Sequence, residues 1–325
     1  MVGLLDPLEV KGVVLRNRLV LPPMVTGLAT IEGAVTDKLI DYYVQRSKAL
    51  GLLIVEHGFI SVDGKLGNKT LDIHDDKLIN GLEKLTSKVH AESTPIILQI
   101  NHGGRVANKE ITGFQPVAPS ATEKARELRV EELEGLAGAY ASAALRAVKA
   151  GFDGVEVHGA HGFLLNQFYS PLTNNRTDEY GGPLENRIRF PLEVINKVKK
   201  AVGKRLLLYR LGSDDLDPAG TQIKDSEQFA VKLEEIGVDI IDVSGGLCGS
   251  RPAQFQGTQG YFIPQAQQIK EVVNVPIIGV GGITDPEYAD KAIREKKVDL
   301  VAIGRKLLKD PNWADEAIRK IEKLL

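Results

Sequence analysis

The chain has 325 residues, 43% apolar and 26% charged, enough for one large core or two small ones. Its 41 lysines and arginines face 43 aspartates and glutamates, a net charge of −2. No basic surplus points to nucleic acid or to an anionic membrane. The single cysteine, Cys248, excludes an internal disulfide and any cysteine-ligated zinc or iron–sulfur cluster. No apolar run approaches the roughly 20 residues of a bilayer span. The segment after Met1 carries neither a basic stretch nor a small-residue cleavage site. A soluble, cytoplasmic protein is expected.

Leu8–Leu15, with Lys11-Gly12 at its centre, reads as a small hairpin. Short aliphatic runs then alternate with stretches of helical period. The runs are Leu19–Pro23, Leu52–Glu56, Ile96–Asn101, Gly154–His158, Leu206–Leu211, Val238–Ser244, Pro276–Gly281 and Leu300–Gly304. The helical stretches are Thr36–Leu50, Asp75–Glu92, Glu131–Ala150, Pro183–Val202, Asp225–Ile236, Pro264–Val273, Asp285–Glu295 and Asp310–Leu324. Asp285-Pro286 and Asp310-Pro311 look like helix starts. Eight strand-then-helix units predict an α/β fold, a single (β/α)8 TIM barrel whose bottom the N-terminal hairpin closes. The rival is a doubly wound open sheet. It would place a glycine-rich turn after the first strand, where this chain has Pro22-Pro23-Met24.

Such barrels do their chemistry at the carboxyl ends of the strands. Here those ends read Glu56-His57, Gln99-Ile100-Asn101-His102, Glu156-Val157-His158, Tyr209-Arg210 and Asp242-Val243-Ser244. Strand alternation puts Gln99 with Asn101, and Glu156 with His158, on one face. Polar groups aimed into a barrel mouth need a ligand or each other. Strands seven and eight end instead in Gly281-Gly282 and Gly304-Arg305. Bare backbone N–H groups beside one guanidinium suit a phosphate, although tight turns into helices also use glycine. His158 and His161 bracket Gly159-Ala160. They suit a metal pair, a pair of donors to a carbonyl or phenolate oxygen, or two satisfied core imidazoles. No third ligand at recognisable spacing supports the metal.

The run Gly154-Val155-Glu156-Val157-His158-Gly159-Ala160-His161-Gly162-Phe163-Leu164 continues into Asn166-Gln167-Phe168-Tyr169-Ser170-Pro171 and Thr173–Gly182. Together with Asn17-Arg18-Leu19, Pro22-Pro23-Met24, Gln99, His102-Gly103-Gly104-Arg105, Asn186-Arg187 and Gly304-Arg305, it resembles the old yellow enzyme family. The likeness is greatest to the shorter bacterial, thermophilic-type branch and to the barrel of dienoyl-CoA reductases. Those proteins are FMN-dependent NAD(P)H oxidoreductases and ene reductases. The resemblance implies one FMN-binding barrel over residues 1–325, with NADPH or NADH as diffusible hydride donor. It places the FMN phosphate at Gly281, Gly282, Gly304 and Arg305, and the isoalloxazine along Pro22, Pro23, Met24, Val25 and His57. Gln99 would bond the pyrimidine edge, and Arg210 would face N1, where reduced flavin is anionic. His158 and His161 would grip a substrate carbonyl so that its β-carbon accepts hydride. A small-molecule substrate and a homo-oligomer, dimer or tetramer, are also implied.

Three positions depart from the family pattern. Phe163 stands where a tyrosine usually protonates the substrate, and it has no proton to give. Val25, with Thr26 next, stands where a cysteine or threonine usually tunes the flavin. The thermophilic-type arginine tail has no counterpart in Lys320–Leu325. Tyr261, after strand six, is a candidate replacement donor, with His57 behind it. The large relatives append an iron–sulfur and FAD module, so a chain ending at its eighth helix is expected to take electrons from a diffusing donor.

The expected activity is hydride transfer to an α,β-unsaturated carbonyl or quinone-like acceptor. The alternative keeps the flavin but passes electrons to oxygen, a quinone or a protein partner, alkene reduction being weakened by Phe163. A phosphosugar isomerase or aldolase using Glu56 or Glu156 as base, and a flavin-binding protein without turnover, are the readings from other classes.

Overall fold

Strands buried on both faces read as unbroken apolar runs, and each run named above becomes a stave of a barrel. The computed structural model describes residues 2–325. The chain opens with β1 (Leu8–Val10), β2 (Val13–Leu15) and β3 (Leu19–Leu21), then α1 (Asp37–Ser47), β4 (Leu52–Phe59), α2 (Ile79–His90) and β5 (Ile96–Asn101). A short α3 (Lys109–Thr112) and the small pair β6 (Val117–Ala118) and β7 (Arg126–Glu127) precede α4 (Val130–Lys149) and β8 (Gly154–Gly159). There follow α5 (Leu164–Tyr169), α6 (Leu184–Arg187), α7 (Arg189–Val202), β9 (Leu206–Gly212), α8 (Ile223–Ile236) and β10 (Ile240–Ser244). The last units are α9 (Ile263–Lys270), β11 (Ile277–Gly279), α10 (Pro286–Arg294), β12 (Leu300–Ala302), α11 (Arg305–Lys309) and α12 (Trp313–Glu322).

Eight parallel strands close in the order β3-β4-β5-β8-β9-β10-β11-β12 and back to β3. This is the (β/α)8 barrel the alternation predicts. Side chains divide by alternation along each strand. Val20, Leu52, Ile54, Ile97, Leu206, Leu208, Ile240, Ile278 and Leu300 fill the interior. Val55, Leu98, Val155, Val157, Leu207 and Val243 join the layer shared with the helices.

The hairpin β1–β2 pairs Val10 with Val13 across Lys11 and Gly12, both at positive φ. That is the backbone a two-residue hairpin turn requires. Its Val10 and Leu15 pack with the interior residues, so the hairpin plugs the barrel bottom. Truncating Leu15 to alanine is expected to cost about 2–5 kcal/mol, as for other buried leucines.

One predicted start is displaced. Asp310 does not cap the final helix but accepts from the Asn312 N–H at 3.0 Å, and α12 begins at Trp313. Pro311 disfavours helical backbone at the residue before it. Residues 305–309, outside the predicted strands and helices, form α11 directly after Gly304. Among the described residues no helix is long and apolar enough to cross a membrane.

Candidate active site

The interior polar residues gather at the carboxyl ends of β5, β8, β9 and β10. Gln99 pairs in register with Glu156, His158 with Arg210, and Arg210 with Asp242. All five are at most 4% exposed. Gln99 Nε2 donates to Glu156 Oε1 at 2.8 Å, and Arg210 Nε stands 3.3 Å from Asp242 Oδ2. Glu156 is therefore a member of a buried network, not the open base an isomerase would use.

Glu56 and His57 reverse the simple alternation. The pairing of β4 with β5 shifts register between Val55 and Gly58, a bulge that re-aims the side chains around it. Glu56 turns to the loop after β3, where its carboxylate accepts from the Thr26 hydroxyl at 2.6 Å and the Thr26 N–H at 3.0 Å. That hydroxyl is thus committed to Glu56. His57 turns toward the site instead, its ring centroid 6.1 Å from that of His158 and 5.6 Å from that of Phe163.

His158 and His161 meet edge to face with centroids 5.1 Å apart. The Ala160 N–H donates to His158 Nδ1 at 3.2 Å. In a neutral ring this leaves the proton on Nε2, which makes that atom a donor. His161 Nε2 shares a hydrogen bond with Ser244 Oγ at 2.7 Å. Its backbone is left-handed, φ +58°, unusual for a residue with a side chain. Such strain persists where the surroundings hold it and is common at functional sites. Burial, then the Arg210 charge, lowers His57 to about 4. Burial lowers His158 and His161 well below the ordinary histidine value as well, with His161 and Arg210 adding to the effect on His158. Three neutral imidazoles therefore stand at this end of the site near pH 7.

A cavity of about 550 Å³ runs from Arg210 and Ser244 past Pro22, Met24 and Val280 to Gly282, Gly304 and Arg305. Gly281 and Gly282 have φ of +133° and +64°. A Cβ on Gly282 would stand 2.9 Å from the Thr258 carbonyl oxygen and 3.2 Å from the Arg305 guanidinium. A Cβ on Gly304 would meet Met24 Sδ at 3.1 Å. These glycines keep that end of the cavity open. Pro23 is half-buried and Val25 48% exposed on the adjoining loop.

Tyr261 lies at this glycine end. Its hydroxyl donates to the Ser250 carbonyl at 2.7 Å and accepts from Arg305 at 3.3 Å. Its ring stacks on Phe255, with centroids 5.8 Å apart. These hydrogen bonds place the hydroxyl as a brace beside Arg305, and the proton-donor role considered for it would require the bond to Ser250 to be given up. Phe163 instead packs edge-on against His158 at 4.8 Å.

The chain matches the NADH:flavin oxidoreductase / NADH oxidase family over residues 3–323. It belongs to that family. The "NADH oxidase" of Thermoanaerobacter brockii is 42% identical over 315 residues, covering 92% of this chain and 48% of that protein. The chain thus spans about half the length of this curated relative. A 2-naphthoyl-CoA reductase complexed with 2-naphthoyl-CoA superposes with a TM-score of 0.92 at 27% identity, over 98% of this chain and 52% of that one. The old yellow enzyme homologue of Zymomonas mobilis gives 0.86 at 29% identity, covering 99% and 93%. Morphinone reductase in complex with tetrahydroNAD also gives 0.86 at 29%, covering 98% and 91%.

FMN is the cofactor of this oxidoreductase family and NADH or NADPH its hydride donor. The residues present fit FMN. A phosphate suits the glycine end with Arg305, and Arg210 brings a buried guanidinium whose Nε has no hydrogen-bond partner. Sequence reasoning missed Arg251, Lys306 and Lys309, which also line the cavity. The only signal for Lys306 and Lys309 was their place beside Arg305 in the chain, and Arg251 had no local signal.

Proposed function

We propose that residues 1–325 form one FMN-binding domain that reduces a small activated alkene, an α,β-unsaturated carbonyl, at the expense of NADH or NADPH. Bound FMN supplies the hydride carrier between the two substrates. Pro22, Pro23, Met24, Val25 and the His57 backbone line its ring, Gln99 and Arg210 address its polar edge, and Gly281, Gly282, Gly304 and Arg305 hold its phosphate. His158 and His161 receive the substrate oxygen.

The reading rests chiefly on one hydrogen bond, from the Ala160 N–H to His158 Nδ1. It makes Nε2 a donor without charging the ring. A neutral donor suits a carbonyl oxygen that gains negative charge only as the β-carbon is attacked. His161, bonded to Ser244, offers its other nitrogen beside it.

Phe163 favours a second reading, in which electrons leave to oxygen, a quinone or a protein partner. Its ring lies against His158 and His57 and brings no proton donor. The experiment is anaerobic reduction of the yellow protein with NADH or NADPH, followed by 2-cyclohexenone. Rapid return of the oxidised flavin band with cyclohexanone formed is the expected result. Flavin that stays reduced until oxygen or a quinone is admitted would replace the first reading by the second. A purified protein without a flavin band would overturn both.

A further inference from the structure

Behind the cavity, the barrel interior holds more negative charge than it can neutralise. Glu156, Arg210 and Asp242 project inward from β8, β9 and β10, with Gln99 beside Glu156 on β5. Glu156 and Asp242 are 0% exposed and Arg210 4%. Arg210 pairs with Asp242 and acts on Glu156 at longer range, so one guanidinium faces two carboxylates in a space closed to bulk water. Arg210 comes nearest to Asp242 through Nε, at 3.3 Å, and Gln99 satisfies only Oε1 of Glu156. Glu156 Oε2 and both carboxylate oxygens of Asp242 have no hydrogen-bond partner. Leaving a net charge in such a place is costly. One proton removes the charge and also turns an orphaned acceptor into a donor.

We infer that Glu156 and Asp242 hold one exchangeable proton between them behind Arg210, and that this proton governs how strongly Arg210 attracts negative charge on the cofactor. The first half stands on the buried network alone. The second rests on the proposed placement of Arg210 against the flavin.

The surroundings favour Glu156 as the carrier. Burial first, and then Asp242, raise it to about 8, against the opposing pull of Arg210 and Gln99. Asp242 is raised by burial and drawn down by Arg210. The other titratable groups around Arg210 are His57 on β4, His158 on β8 and His161 just beyond it, all held neutral, and the Tyr261 phenol after β10, which burial raises. None of them supplies a compensating cation. When the proton is present, Arg210 faces one carboxylate and keeps most of its charge for the cavity. When it leaves, two carboxylates draw on the same guanidinium. By linkage, negative charge arriving at Arg210 from the cavity makes the carboxylates take up a proton from solvent. Glu156 and Asp242 are thus positioning residues that act through Arg210.

Infrared spectroscopy of the holoenzyme labelled with ¹³C-glutamate tests the first half. A label-shifted protonated-carboxyl C=O band is expected at neutral pH, fading as pH passes through about 8 and missing in Glu156→Gln. No such band at neutral pH would overturn the proposal and leave the flavin assignment intact. This measurement on the wild type survives any failure of the variant to fold. Redox titration of the holoenzyme tests the second half. Near that pH, the equilibrium constant for two-electron reduction should fall by up to about tenfold more per pH unit in the wild type than in E156Q. A labelled band with equal slopes would show that the proton exists but that Arg210 does not face the flavin.

Discussion

The ring of Phe163 meets that of His158 edge-on, with centroids 4.8 Å apart. The aromatic carbons of residue 163 thus lie beside the imidazole assigned to the substrate oxygen. A hydroxyl added to that ring would bring a proton donor into the same end of the site. F163Y is expected to raise enone turnover by about 10²-fold, the lower part of the usual range for general acid catalysis. Reduction of the flavin by NADH should be unchanged. Stopped-flow measurement of the two half-reactions separates these effects, and an unaltered oxidative half-reaction would mean that a proton already arrives by another route.

His158 tests the donor assignment directly. Removing one preorganised donor to a developing oxyanion typically costs about 10²–10³ in rate. H158A should lose that much in enone turnover while keeping its flavin. H158N offers an amide N–H near the same place and should recover part of the loss. A common small loss in both variants, read from kcat against KM for 2-cyclohexenone, would count against His158 as the oxygen-binding group.

Tyr261 and Arg305 make a paired prediction. The Tyr261 hydroxyl bridges the Ser250 carbonyl and the Arg305 guanidinium, so Y261F should leave alkene turnover intact while loosening FMN. A neutral hydrogen bond is worth about 0.5–1.5 kcal/mol, or roughly 2- to 12-fold in affinity. R305A removes a charge-assisted contact worth about 1.5–3 kcal/mol and should weaken retention by roughly 10- to 150-fold. Flavin release on dilution, followed by fluorescence, measures both. A collapse of turnover in Y261F with flavin fully retained would restore Tyr261 as a proton donor.

The barrel was legible because each stave is an apolar run with its own punctuation. Ile96–Asn101 even has the same bounds in sequence and structure. Glycines 281, 282 and 304 and Arg305 read as a candidate anion site because that residue chemistry is local, and one cavity brings Gly282, Gly304 and Arg305 together. Glu56 and His57 were not, since the bulge that exchanges their directions depends on how β4 pairs with β5. The Glu156–Arg210–Asp242 network was hidden for a related reason. Each residue is visible at its strand end, but the pairing of Arg210 with Asp242, and the placing of Glu156 on the neighbouring strand, follow from register across three strands. The partners of the Tyr261 hydroxyl, Ser250 and Arg305, could not be read from the sequence, because they come from a loop and from a distant strand end.

Stability against pH separates the buried carboxyl from the buried histidines. Glu156 is raised from 4.5 to about 8 in the folded protein. Between those values the folded state binds the proton more tightly than the unfolded chain does. Its contribution is complete below 4.5 and is lost as pH rises toward 8. His57 runs the other way, lowered from 6.5 to about 4. Its contribution is complete above 6.5 and is lost as pH falls toward 4. His158 and His161 share that direction. The interval from 6.5 to 8 therefore belongs to the carboxyl, with the histidines already neutral in both states. Thermal unfolding of the wild type should fall in Tm across that interval, and E156Q should stay flatter. Between pH 6.5 and 4.5 E156Q should lose stability more steeply than the wild type, in which proton uptake by Glu156 offsets part of the histidines' loss. A wild-type Tm that rises between 6.5 and 8 would mean that Glu156 is ionised in the fold and that the network is stabilised as a charged one.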